Sequence, residues 1–153
     1  MHVGITYDTR MAGPPIVVLD TNVPEAAMRS RRGASFALLS LIGTGRFDIA
    51  LSVPLVFEYE DVLMRQAGVM SRDPVAVTNL LDYVCAVGKR QPIFYLWRPC
   101  LPDPRDDMVL ELAVAAGCKR IVTHNKRHFG PVRHFGIRAL GPAEFLQEIG
   151  GIR

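Results

Sequence analysis

Cysteine is scarce in this chain and shows no pairing pattern. Cys85, Cys100 and Cys118 make an odd count with no Cys-x-x-Cys among them. That argues against a disulfide framework or a cysteine-based zinc site and suits reduced, half-buried thiols in a cytoplasm. Long hydrophobic runs are missing too. The longest, over 16–19 and 36–42, fall far short of the roughly 20 apolar residues a membrane span needs, so no membrane association is expected. The opening MHVGITYDTRMAGPP carries acid and has no continuous apolar stretch, so no signal peptide is expected either. There is no internal repeat, low-complexity tract or second-domain boundary. Lysine is rare beside arginine on the positive side.

What is present is an ordinary globular mixture. The chain has 153 residues, enough for one core, and its 49% hydrophobic and 22% charged content excludes a disordered polymer. The formal charge is +3. Arginine offers a planar fork for phosphate oxygens, so this balance permits a nucleic-acid partner without requiring one.

Residues 1–14 read as a loose extension that could be disordered, containing Gly4 and Gly13 and running into Pro14-Pro15, ahead of a domain over 15–150. Ile16-Val17-Val18-Leu19 is a short, β-branched apolar run, the pattern of a strand buried on both faces. It ends at Asp20-Thr21-Asn22. A helix is expected from about Gly33 to Ile42, a strand over 47–52, and a helix opened by Pro54 and running to about Gln66. Asp73-Pro74 opens another helix ending near Gly88. A short strand is expected over 93–97, a helix over 104–116 closed by Gly117, strands over 120–123 and 137–140, and a last helix from Pro142. This alternation predicts an α/β fold, a doubly wound parallel sheet with helices on both faces. Such sheets bind ligands beyond the carboxyl ends of the strands, where the strand order reverses.

Three carboxylates fall at positions that reach such a crevice. Asp20 follows the central strand directly, although Asp also caps helices and turns. Glu58 lies within about 60° of Leu55 and Val62 on its helix, so it occupies the apolar stripe, where a lone carboxylate is costly. Arg65, two turns along, could compensate it in a structural ion pair. In Asp103-Pro104-Arg105-Asp106-Asp107, Asp103 reads as the N-cap and Pro104 as the first helical residue. Asp106 stands four before Leu110 and seven before Ala113, near the inward stripe. Asp107 is turned about 70° from it, so Asp107 and Asp103 are the less favoured candidates. Acids favoured by the helix dipole explain part of this run. Together, Asp20, Glu58 and Asp106 would repel one another without a cation, and such oxygen-rich sets select Mg²⁺ or Mn²⁺.

A fourth corner follows the strand at Ile121-Val122. Asn125 is placed to face Asp20, contributing an amide oxygen but no charge, and Thr123 is placed to orient water or phosphate. His124 and His128 have a helical zinc spacing, but no further ligand of suitable spacing completes a set. Lys126, Arg127 and His128 form one basic group and Arg29, Arg31 and Arg32 another, flanking the crevice as an RNA strand would require. A dehalogenase-like phosphatase would need a second Asp where Asn22 stands.

VLDTNV at 18–23, Glu58 within FEYEDVL, DPRDDMVLELAVAAG at 103–117 and IVTHNKRHF at 121–129 together resemble the PIN-domain nucleases over about residues 15–148. The resemblance is closest to the toxin-like branch, akin to the VapC-type toxins of bacterial toxin–antitoxin systems. It implies a PIN-like doubly wound fold and a cytoplasmic, Mg²⁺- or Mn²⁺-dependent endoribonuclease that hydrolyses RNA with metal-activated water. It also implies a homodimer and inhibition by a small antitoxin protein. The family's acidic positions carry onto Asp20, Glu58 and Asp106, with Asn125 and Thr123 as further catalytic-site residues. The fourth family position is often Asp where this chain has Asn125, and an Asp-Phe that often follows is here His128-Phe129. Those departures keep an alternative in view: a catalytically weak or inactive PIN-fold module that binds RNA or a protein partner.

Overall fold

Three consecutive residues of the first strand, Val17, Val18 and Leu19, are at most 2% exposed. Successive strand residues point to opposite faces, so both faces of that strand are covered. The computed structural model describes residues 13–93 and 101–150. Its elements run β1 (Ile16–Leu19), α1 (Asn22–Arg29), α2 (Ala34–Ser40), β2 (Asp48–Leu51), α3 (Val53–Val69), α4 (Pro74–Val87), β3 (Lys89–Arg90), α5 (Pro104–Ala115), β4 (Arg120–Val122), a 3₁₀ segment (Lys126–Phe135), β5 (Arg138–Leu140) and α6 (Pro142–Glu148).

The sheet is wholly parallel, in the order β3-β2-β1-β4-β5. The chain builds outward from β1 to β3, then returns across β1 to lay down β4 and β5. The reversal therefore falls between β1 and β4, which makes the adjoining carboxyl ends of those strands the switch point. Helix α5 packs across β1, β2 and β4, while α1 with α2 and α3 with α4 form packed pairs. At the opposite end of the sheet, the rings of Phe47 and Phe145 meet edge to face at 5.3 Å and tie the start of β2 to α6.

Helix starts follow local chemistry. Ser52, Asp73 and Asp103 each accept a backbone N–H of the helix they precede, with a proline in the first turn of all three helices. The turn after α2 depends on Gly43, at φ +86°. A Cβ there would lie 2.3 Å from the Tyr83 hydroxyl, which donates to the Ile42 carbonyl at 2.8 Å.

One expectation needs correction, and another lies mostly outside the described residues. Helix α1 lies where the sequence reading marked only the end of a strand. It is short, starts without a side-chain cap and carries Pro24 in its first turn. The strand expected over 93–97 falls mostly on residues 94–100, outside the described residues. Ile93 itself is not extended into a strand, and β3 sits earlier, at the exposed pair Lys89–Arg90. The extension over 1–14 likewise falls outside the described residues but for Gly13 and Pro14.

Candidate active site

The register Leu19↔Val122 brings the residues after β1 and β4 side by side. Asp20 N–H donates to the Val122 carbonyl at 2.9 Å, and Thr123 N–H to the Leu140 carbonyl at 2.8 Å. The Thr123 hydroxyl then donates to Asp20 Oδ2 at 2.8 Å, and Thr21 N–H to Oδ1 at 2.8 Å. Asn22 Nδ2 adds a third donor, 3.2 Å from Asp20 Oδ2. Beneath them the buried Tyr59 hydroxyl donates to the Leu19 carbonyl, pinning the peptide that leads into Asp20. Asp20 is 6% exposed. Burial pushes its carboxyl up from the usual range, opposed by the bonds from Thr123 and Thr21.

Thr123 differs from its expected role. It is fully buried, and its hydroxyl is spent donating to Asp20 and accepting the Asn125 N–H at 3.0 Å. It orients a carboxylate; it does not face water or phosphate.

Helix α5 delivers the second acid. Asp103 Oδ1 accepts Arg105 N–H at 2.9 Å, and its other oxygen pairs with the Arg105 guanidinium at 3.3 Å. These contacts, the backbone bond foremost, hold the Asp103 carboxyl low. One turn inward, Asp106 is buried, and its Oδ2 has no hydrogen-bond partner. His128 Nδ1 approaches that oxygen to 3.4 Å without the geometry of a hydrogen bond. Burial first, then the charges of Asp20 and Asp103, push the Asp106 carboxyl up to about 6. Asp107 turns elsewhere and accepts Leu101 N–H at 3.1 Å.

Glu58 comes from α3. The buried stripe of that helix is Leu55, Tyr59, Leu63 and Ala67, so Glu58 stands at the margin of the stripe, half-buried, rather than on it. Arg65 does not pair with it; it pairs with Asp61 at 2.8 Å. A cleft of about 280 Å³ gathers Asp20, Glu58, Asp103 and Asp106 with Asn125 on its walls, together with Glu25, Asn22, Arg105 and His128. Glu25 pairs with Arg29 at 3.4 Å, as Asp103 pairs with Arg105. Among the described residues, the acids of the cleft left without an arginine or lysine partner are Asp20, Glu58 and Asp106.

His124 and His128 do not act as a pair. His124 Nε2 lies 2.7 Å from Ser35 Oγ, and burial, then Arg29, lower its basicity. Among the described residues no three His, Cys, Asp or Glu side chains form a ready metal cluster. The donors present nevertheless suit a hard cation. They are oxygens, they repel one another, and one buried oxygen lacks any donor. A small divalent ion commonly takes only one or two carboxylates, completing its shell with water and substrate oxygens.

The PIN-domain family model matches residues 16–127. The chain belongs to the PIN-domain family. No curated protein matches it. PIN domains are generally nucleases and usually use divalent metals, and in this PIN domain the matched span carries Asp20, Glu58, Asp106 and Asn125. No helix among the described residues is long and apolar enough to cross a membrane.

Asn22, Glu25 and His128 line this PIN domain's cleft in roles that the sequence pattern does not assign them. Asn22 bridges Asp20, Thr123 and, through its Oδ1, the His124 N–H at 3.1 Å. Its signal was proximity to Asp20 within DTN. Glu25 reaches the cleft because α1 exists; Pro24 in a first turn and the Glu25–Arg29 spacing of i,i+4 were the available signs. His128, expected in a phosphate-facing basic group, stands against Asp106.

Proposed function

We propose that this PIN domain is a Mg²⁺- or Mn²⁺-dependent endoribonuclease, the toxin component of a toxin–antitoxin pair. The observation that supports it most strongly is the set of three cation-poor carboxylates around one cleft at the switch point, with Asp106 Oδ2 left unsatisfied. Asp20, Glu58 and Asp106 would hold the ion. When bound, it supplies a Lewis acid that makes water a better nucleophile and offsets the charge that builds on a phosphate during in-line hydrolysis. Thr123, Asn22 and Thr21 N–H keep the Asp20 carboxylate in one orientation, so little reorganisation is needed on binding. Asn125, exposed at the cleft wall, offers its amide to water or to a phosphate oxygen. The neutral Asn125 adds no charge, which favours one firmly held ion over two.

An RNA strand is supported by the placement of the arginines. Ser35 binds the His124 imidazole and Arg29 acts on it electrostatically, so the Arg29–Arg32 turn lies beside the loop of Lys126 and Arg127. Arg31, Arg32 and Arg127 are exposed there and available to phosphates. A small antitoxin, a homodimer and a cytoplasmic setting follow from the resemblance to toxin-like members.

The test is cleavage of an RNA pool with Mg²⁺ or Mn²⁺, followed by sequencing of the new ends. The full chain should cut only with metal, and Asp20→Asn should reduce cutting to background. Undiminished cleavage by that variant would sink the assignment. Metal binding without any cleavage would favour the second reading, a module that grips RNA or a partner, for which Asn125 and His128 are the support.

A further inference from the structure

We propose that His128 supplies a nitrogen ligand to the cation held by Asp106, giving a mixed oxygen–nitrogen site that selects Mn²⁺ over Mg²⁺. The inference rests on the metal-dependent reading above. It concerns a residue that the acidic pattern does not include.

One juxtaposition in the cleft points to it. Asp106 is 8% exposed, and its Oδ2 is buried without a hydrogen-bond partner. The atom nearest to satisfying it is His128 Nδ1 at 3.4 Å. A protonated ring nitrogen bound to a carboxylate closes to about 2.7–2.9 Å with good alignment, and that bond is not made. Two donor atoms about 2.1 Å from a shared ion, at angles between roughly 90° and 110°, stand about 3.0–3.4 Å apart. The separation of Nδ1 and Oδ2 is longer than a hydrogen bond and fits two neighbouring ligands on one ion.

His128 is also free to serve. Its ring lines the same cleft as Asp20 and Glu58 and is half-exposed, whereas the other imidazole of the loop, His124, is held by Ser35. It sits on the 3₁₀ segment with His128 N–H bonded to the Asn125 carbonyl at 3.0 Å, so its backbone is fixed close to the end of β4. Nitrogen donors shift preference away from Mg²⁺, which keeps to oxygen and water, toward transition ions.

Pulsed electron paramagnetic resonance of Mn²⁺ on the full-length chain, stripped of metal beforehand, reads the bond directly. The wild type should show ¹⁴N coupling from one bound imidazole. His128→Gln should lose it, and His124→Gln should keep it. In parallel titrations, Mn²⁺ affinity should fall about tenfold or more in His128→Gln, while Mg²⁺ affinity changes by less than about twofold. Mn²⁺ binding with no ¹⁴N coupling would overturn this inference and leave the carboxylate site standing. Coupling that survives in His128→Gln and vanishes in His124→Gln would overturn it as well. Absence of Mn²⁺ binding at millimolar ion would overturn both this inference and the metal-dependent reading.

Discussion

The two ends of one sheet treat a carboxylate in opposite ways. At the amino ends of β4 and β5, Arg120 and Arg138 both reach Glu148 of α6, Arg138 at 2.7 Å. Burial works to raise the Glu148 carboxyl, but the bonds from Arg138 and Arg120 outweigh it and hold the group below its usual range. At the carboxyl ends of β1 and β4, Asp20 and Asp106 are buried more deeply and meet other acids, and both carboxyls are pushed up. One end of the sheet is an ordinary structural ion network. At the other, among the described residues, Asp20, Glu58 and Asp106 form no ion pair with an arginine or lysine, and perturbed carboxyls of this kind concentrate at functional sites.

The sharpest way to break that contrast is at the crowded end. Asp106→Asn should reduce metal-dependent RNA cleavage to background, measured on the RNA pool described above. The next effect in size comes from the support of Asp20. Thr123→Val removes a hydroxyl that donates to Asp20 Oδ2 and should lower Mn²⁺ affinity or cleavage by about 10–100-fold, read by titration and by initial rates. An unchanged affinity would show that the buried hydroxyl is packing only.

Stability should move the other way. In metal-free protein, Asp106→Asn removes a buried charge facing Asp20 and Asp103, so the chain should gain about 1–3 kcal/mol at neutral pH, seen as a higher urea midpoint. The folded value near 6 lies above the unfolded value of 3.8. The native state therefore binds more protons between these values, and wild-type stability should decline as pH rises through that window. The variant should lose the share of this decline that Asp106 contributes and keep the share from Asp20, whose carboxyl is also raised. At the satisfied end, Glu148→Gln should cost under about 1 kcal/mol. Its folded carboxyl lies below the ordinary 4.5. Its contribution is thus complete above that value and lost as pH falls through the folded one. Opposite slopes from the two ends would sharpen the comparison; slopes of the same sign would remove it.

Much of this arrangement was legible in the sequence. The β-branched run at Ile16–Leu19 marked the central strand, and Pro54, Pro74 and Pro104 marked three helix starts, because both signals are local. Asp20 and Asp106 could be chosen since strand end and helical phase each fix a direction. What stayed hidden depended on tertiary partners. Tyr59 is buried beside Glu58 with its hydroxyl on the Leu19 carbonyl, and the buried stripe of α3 runs through Tyr59 rather than Glu58. Thr123 reads as an exposed strand end until β5 and Asp20 are seen to cover it. Helix α1 is too short for a clear period, so only Pro24 and the i,i+4 spacing to Arg29 mark the place of Glu25. His128 gains its meaning from Asp106, 22 positions earlier in the chain.

We read the carboxylates at the carboxyl end of the sheet as a cation site. Calorimetric titration of Mn²⁺ into the metal-free chain, beside Asp106→Asn, tests it most directly. The wild type should show saturable binding, and the variant should lose it. Equal binding by both proteins, or no binding by either at millimolar ion, would contradict this reading.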